Sequence, residues 1–227
     1  MSKKKIVVSF SGKDSTLALH DLLQSDEYEV DSLFVTVTSG YNRMSIHGVR
    51  EELVVEQAES IGLPLRKVHI PQDCSNEQYN EIMTEAIKKI KADGINHIAY
   101  GDLFLEDIRK YREEMLKDTG VVPVFPLWGE STSEVLERFV SQGYKTIITC
   151  VDLNKLHEAF SGMVIDHDFV EKLPRDVDPC GEFGEYHSFV FDGPIFNKKI
   201  DFATGEKKVT PDVMTGKDRF CYTDLIK

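Results

Sequence analysis

A chain of 227 residues, 41% hydrophobic and 29% charged, has the make-up of a globular protein with one large domain or one domain and a modest appendage. Its formal net charge of -12 argues against broad nucleic-acid or anionic-membrane binding, both of which draw on basic patches. No apolar stretch is long enough to span a bilayer and the N-terminus lacks a signal peptide's apolar segment, so the expectation is a cytoplasmic protein with no membrane partner.

In chain order, the basic run Lys3-Lys4-Lys5 is a solvated flank of a first strand, the β-branched run Ile6-Val7-Val8. Ser9-Phe10-Ser11-Gly12-Lys13-Asp14-Ser15 follows, and a helix begins at Thr16. A small polar loop between strand and helix aims unpaired backbone N–H groups at one spot, where the helix dipole favours an anion such as phosphate. Lys13 adds a positive charge, Ser11 and Ser15 add hydroxyl donors, and Asp14 could hold a magnesium ion or a nucleotide hydroxyl. Val7 stands where a Walker A loop needs its first glycine, and Gly12 alone is no dinucleotide fingerprint. The plain alternative is a turn with a helix cap.

A second strand covers residues 30–37, and the polar stretch 39–45 is a loop at its ligand-facing end. His47 and Arg50 then lead into a helix with Val49, Leu53, Val54, Ala58 and Ile61 at helical spacing, closed by Gly62 and Pro64; the two suit nucleotide or substrate contact as well as helix-start packing. A third strand spans 65–70. Tyr79, Ile82, Met83, Ala86, Ile87 and Ile90 form one apolar helical stripe ended by Gly94. A fourth strand, 97–100, runs into Gly101-Asp102, again at the ligand-facing end. The next helix is expected to turn Phe104, Ile108, Tyr111 and Met115 inward and to leave Glu106, Arg109 and Arg112 on a solvated face.

Four strand–helix repeats over residues 1–120 imply a Rossmann-like parallel α/β sheet with helices on both faces. Residues 121–227 read as a smaller α+β part packed on it. There the spacing predicts a strand at 121–125, a capping box Ser131-Thr132-Ser133-Glu134 before a helix to about 142, strands at 144–151, 186–191 and 198–202, and a turn at Thr204-Gly205-Glu206. Cys74, Cys150, Cys180 and Cys221 are far apart and form no Cys-x-x-Cys pair, so neither a zinc ribbon nor a dithiol motif is visible.

Asp178-Pro179-Cys180-Gly181-Glu182-Phe183-Gly184-Glu185-Tyr186-His187-Ser188 is a second constellation. Its glycines let backbone approach a ligand closely, and Glu182, Glu185 and His187 suit proton transfer. A polar hairpin shaped only by turn geometry is the plain alternative.

The N-terminal loop resembles the PP-loop of ATP pyrophosphatases, Ser-Gly-Gly-x-Asp-Ser, with one glycine of that pattern absent here. Together with Gly101-Asp102, Pro126-Leu127-Trp128 and Cys-Gly-Glu-x-Gly-Glu-Tyr-His, in that order from Ile6 to Phe196, the chain resembles the diphthine-ammonia ligase (diphthamide synthase) family of N-type ATP pyrophosphatases. Phe183 departs from the family's usual Asn.

The resemblance implies that residues 1–120 are a HUP-type ATP-binding domain and residues 121–227 the substrate-binding part, and it implies an ATP- and Mg2+-dependent amidation. A carboxylate attacks the α-phosphorus, diphosphate leaves, and ammonia converts the acyl-adenylate to an amide with release of AMP. It implies nucleotide contacts from Ser9, Ser11, Gly12, Lys13, Asp14, Ser15, His47 and Gly101, magnesium placement by Asp14, and catalytic roles for Asp102, Glu182, Glu185 and His187, with Glu185 or His187 as proton acceptor. The implied partners are ATP/AMP, ammonium and an acceptor carboxylate, which in the family is the diphthine of an elongation factor. In a cell that makes no diphthamide the acceptor is a different carboxylate, such as a small molecule. Two competing functions share the loop: a PP-loop tRNA-modifying enzyme, disfavoured by the acidic balance, and an ATP/AMP-binding sensor, which leaves the second constellation unexplained. The oligomeric state stays open, a homodimer included.

Overall fold

The computed structural model describes residues 3–212 and 215–227. They divide into two compact units. The first comprises the N-terminal segment up to Phe10 with Asp14–Asn42 and Leu63–Glu130; the second comprises Ser11–Lys13, Arg43–Gly62 and Ser131–Lys227.

The first unit is built on five parallel strands. β1 (Lys4–Ser9) pairs with β2 (Tyr28–Thr38) on one side and with β5 (His97–Ala99) on the other. Beyond them lie β4 (Leu65–Ile70) against β2 and β6 (Val122–Val124) against β5, so the spatial order is β4-β2-β1-β5-β6. Ile6, Val7 and Val8 are wholly buried, as a central parallel strand requires. Three helices alternate with the strands: α1 (Lys13–Leu23), α3 (Asn76–Ala92) and α4 (Glu106–Leu116). The chain reverses its direction of travel across the sheet between β1 and β5. In open α/β sheets that reversal leaves a crevice at the carboxyl ends of the two strands.

The apolar stripe on α3 is the core face it promised to be. Met83, Ile87 and Ile90 are buried against Val7, Phe34, Ile98 and Tyr100, each contributing about 1.5–3 kcal/mol by burial. Ser75 starts the helix with a capping box: its hydroxyl accepts from Gln78 N–H over 3.2 Å, and Gln78 returns the bond to Ser75 N–H over 3.1 Å. Helix α4 differs from expectation. Ile108 and Tyr111 are exposed and only Leu116 is fully buried, because the guanidiniums of Arg109 and Arg112 take the inward direction and lie on aromatic faces. These two arginines are therefore not a solvated face.

The second unit has an antiparallel sheet of order β8-β7-β10-β9, formed by β7 (Lys145–Asp152), β8 (Tyr186–Asp192), β9 (Ala203–Pro211) and β10 (Asp218–Ile226). It also holds the short β3 (Arg43–Met44) and the helices α2 (Glu51–Ile61), α5 (Thr132–Ser141) and α6 (His167–Lys172). Gly62 ends α2 in the left-handed region at φ 84°, returning its N–H to Ala58 O. Three local expectations fail. Ser131 occupies the N-cap of α5 but makes no side-chain cap bond, so the capping box does not form. Residues 198–202 are irregular, and the presumed turn Thr204-Gly205-Glu206 lies inside β9, where pairing with β10 overrides the turn preference of glycine. The parallel α/β sheet is found, and with it a separate unit built on an antiparallel sheet and helices.

Candidate functional site

The residues singled out in the sequence gather in two clusters, one in each unit. Both are joined to the loop after β1.

In the first unit, Ser9 ends β1 opposite Phe34, while Gly101 and Asp102 follow β5 directly. Gly101 lies against the first turn of α1. A Cβ there would stand 2.6 Å from Ser15 N and 2.8 Å from Asp14 C, both backbone atoms, so only glycine fits. This closeness brings the carboxyl end of β5 to the N-terminus of α1. Asp14 is the acidic residue of that first turn, and Ser15 is buried.

Asp102 forms an ion pair with Arg112 at 3.5 Å. Burial raises the Asp102 pKa above the ordinary carboxylate value; Arg112 opposes the rise and the charge of Asp14 adds to it. The Arg112 guanidinium lies 4.7 Å from the ring centre of the buried Tyr100. Arg109 lies over Phe125 and Trp128, at 5.0 and 4.7 Å, so the Pro126-Leu127-Trp128 turn is fastened to α4 by cation–π contact.

In the second unit the centre is the turn at residues 178–185. Asp178 Oδ1 accepts from the N–H groups of Cys180 and Glu182, at 2.9 and 3.1 Å. The buried Glu185 carboxylate accepts from Asp178 N–H through one oxygen and from Phe183 N–H through the other, at 3.1 and 3.0 Å. Gly181 and Gly184 take φ of 69° and 82°, and a Cβ on Gly181 would meet the Tyr186 ring at 2.9 Å. Glu185 thus holds the turn together from inside, whereas Glu182 is half-buried and Phe183 is 65% exposed.

Lys13, although next to the loop glycine, is buried in this unit. Its ammonium donates to the carbonyl of Cys180 and lies 5.2 Å from the Tyr186 ring centre, and its backbone N–H donates to Ser188 Oγ over 3.4 Å. Gly12 is pressed against the same group: a Cβ would stand 2.9 Å from His47 Cε1 and 3.2 Å from Ser188 O.

His47 Nδ1 is 3.0 Å from Ser188 O. A carbonyl only accepts, so the proton is on Nδ1, and in the neutral ring Nε2 is the acceptor. The His47 and His187 rings are 4.8 Å apart between centres, tilted by 48°. Burial pushes the His187 pKa well below its ordinary value, and the charge of Lys13, with that of His47 whenever its ring is protonated, pushes in the same direction.

The fold therefore brings together Asp14, Ser15, Gly101 and Asp102 in one cluster, and Ser11, Gly12, Lys13, His47, Glu182, Glu185 and His187 in the other. Sequence reasoning gave no role to Tyr186, Ser188 or the carbonyl of Cys180, and it left Arg112 on a solvated face. Arg112, Tyr186 and Ser188 are ordinary polar or aromatic residues by composition, and a carbonyl carries no side-chain signal at all. Among the described residues no three His, Cys, Asp or Glu side chains are disposed to hold a metal ion. Among the described residues no helix is long and apolar enough to cross a membrane.

Known proteins bear on this arrangement in three ways. Residues 3–123 match the family described as diphthamide synthase N-terminal domain, and residues 131–216 match the diphthamide synthase C-terminal domain. The chain is 26% identical over 220 residues to a diphthine–ammonia ligase of Danio rerio, covering 89% of this chain and 82% of that one. It is 25% identical over 179 residues to the diphthine–ammonia ligase of Homo sapiens, covering 76% and 66%. A solved chain described as a predicted subunit of tRNA methyltransferase from Methanocaldococcus jannaschii aligns with TM-score 0.45 and 18% identity, over 86% of this chain and 100% of that chain; nothing about fold or function rests on it. With both domains matched in order over most of its length, the chain is an enzyme of the diphthamide synthase family.

Proposed function

We propose that the chain is an ATP-dependent carboxylate–ammonia ligase that works through an acyl-adenylate. The observation that carries the reading is the close fit of Gly101 against the backbone of Asp14 and Ser15, which sets the N-terminus of α1 at the switch point between β1 and β5. Such a terminus, with the Ser11 and Ser15 hydroxyls and the Lys13 charge, suits the phosphates of ATP. Magnesium bound with the nucleotide would offset phosphate charge, with Asp14 as its nearest protein carboxylate.

In this reading the acceptor's carboxylate oxygen bonds to the α-phosphorus, the bond to the bridging oxygen breaks, and diphosphate leaves. Ammonia then attacks the acyl carbon, AMP leaves with the oxygen, and the new nitrogen gives up a proton. Positioning and electrostatic stabilisation do most of the work. Both oxygens of Glu185 are already engaged by backbone N–H groups, which leaves His187 as the proton acceptor in this reading. Asp102, with Arg112 beside it, suits orientation of ammonium or of the acceptor. The N-terminal α/β half would bind ATP and the C-terminal half the acceptor, either the diphthine of an elongation factor or a smaller carboxylate. The exposed Phe183 would contribute to that choice.

Product analysis tests the reading. Purified protein is incubated with magnesium and α-labelled ATP, with and without ammonium and a panel of carboxylates. Acceptor-dependent AMP and diphosphate, lost in Lys13→Ala, is the expected result. Formation of ADP alone would sink α–β cleavage, and tight nucleotide binding with no turnover on any acceptor, the elongation factor included, would favour a sensor.

A further inference from the structure

The hairpin that carries His47 has a strained backbone. Arg43 and Arg50 face each other as an antiparallel bridge, and Met44 N–H donates to Val49 O over 2.7 Å. Between them Ile46 and Gly48 take φ of 69° and 70°. Gly48 suits that conformation, and a Cβ there would stand 2.7 Å from Tyr222 Cδ1. Ile46 does not: the left-handed region costs a β-branched residue about 1–2 kcal/mol. Its side chain is 68% exposed, so burial offsets little of that cost. Strain of this kind persists only where the surroundings over-determine the backbone.

One carboxylate supplies that constraint. Asp224 Oδ1 accepts from Arg43 Nη1 at 2.8 Å and from Arg50 Nε at 3.2 Å, while Oδ2 accepts from Arg50 Nη2 at 2.7 Å. Arg43 Nη1 also donates to Gly48 O over 2.8 Å, tying the hairpin's tip to the same group. Tyr222, two residues earlier on β10, lies on the same face of that strand and supports Gly48. An isolated surface ion pair is worth about 0–1 kcal/mol. Asp224 is instead shared by two guanidiniums, one of them bidentate, at the two ends of one strained loop.

We propose that Asp224 is a positioning residue for the reaction: through Arg43 and Arg50 it holds the 43–50 hairpin in its strained form, and so keeps His47 Nδ1–H on the Ser188 carbonyl with the ring beside His187. The assignment rests on the ligase reading, in which the two imidazoles belong to the reacting site.

The test compares Asp224→Asn and Arg50→Lys with Arg219→Ala. The last removes an ion pair to Asp152 from the same strand and leaves the hairpin untouched. The imidazole 1H–15N spectrum, with His47 assigned through His47→Gln, reports the tautomer, and acceptor-dependent AMP formation reports turnover. In both clamp variants His47 is expected to shift from the Nδ1–H tautomer towards Nε2–H. Turnover is expected to fall about tenfold in kcat with KM for ATP nearly unchanged, equivalent to about 1.4 kcal/mol in the barrier. Arg219→Ala is expected to change neither. Should Asp224→Asn fail to fold, Arg50→Lys decides, since it keeps both charges and loses only the guanidinium fork. An unchanged His47 tautomer in the folded variants would overturn the proposal. The spectrum needs no turnover, so a wild-type chain that forms no AMP refutes the ligase reading alone.

Discussion

The ammonium of Lys13 donates to the backbone carbonyl of Cys180, 167 residues away, from a position 5.2 Å above the Tyr186 ring. Lys13 is thus an internal support of the turn at 178–185. Lys13→Met keeps the stem and removes the charge, leaving that carbonyl without its donor. Loss of a charged hydrogen bond, partly offset by relief of a buried charge, should cost about 1–2 kcal/mol in urea unfolding. AMP formation should fall at least ~100-fold, far more than the stability change accounts for.

Gly101→Ala places a methyl group against the backbone of Asp14 and Ser15, which cannot move without shifting α1. Overpacking of that kind costs about 1–3 kcal/mol. Calorimetric titration with ATP should show weakened affinity in the variant, since the atoms displaced are the helix N-terminus itself.

Glu185→Gln and His187→Gln should separate. The first replaces an acceptor oxygen by an NH2 group facing a backbone N–H, and should cost about 1–3 kcal/mol of stability as well as turnover. The second should lower turnover with a much smaller change in the urea midpoint at pH 7.5. Equal destabilisation by the two would argue against Glu185 as the turn's internal fastener.

Stability should depend on pH through His187. In the unfolded chain it titrates near its ordinary value of 6.5, and in the folded chain lower. Between the two, the unfolded state binds the extra proton. Stability is therefore undiminished by this group above about pH 6.5 and falls as the pH drops below it, by up to ~1.4 kcal/mol per unit. Urea midpoints at pH 7.5, 6.5 and 5.5 check this. His187→Gln should flatten the acid side, and His97, also lowered by burial, supplies part of the slope that remains.

The α/β half was legible because its strands are β-branched runs and its α3 stripe keeps strict helical spacing, so local pattern and burial agree. Helix α4 was misread at Ile108 and Tyr111 because periodicity counts arginine as polar, whereas Arg109 and Arg112 behave as stacked, half-buried planes. β9 was misread at Gly205 because a strand's fate depends on its partner, and β10 supplies one. The loop, Gly101-Asp102 and residues 178–188 were each visible as motifs. Their supports were not: Asp224 serves Arg43 and Arg50, and Cys180 serves Lys13, over separations of more than 160 residues.

The chain enters the second unit at Ser11, leaves it after Lys13, and returns for Arg43–Gly62, all before that unit's sheet begins at Lys145. A break near residue 125, where the two family matches part, therefore does not yield two self-sufficient proteins. Each fragment would lack partners that the other carries, and activity should return only when the two are mixed. The same interleaving acts on descent. A C-terminal half exchanged between relatives arrives with its own side chains at 188 and 224, where this chain uses a hydroxyl for Lys13 N–H and a carboxylate for Arg43 and Arg50. At these two positions a change in one half calls for a matching change in the other.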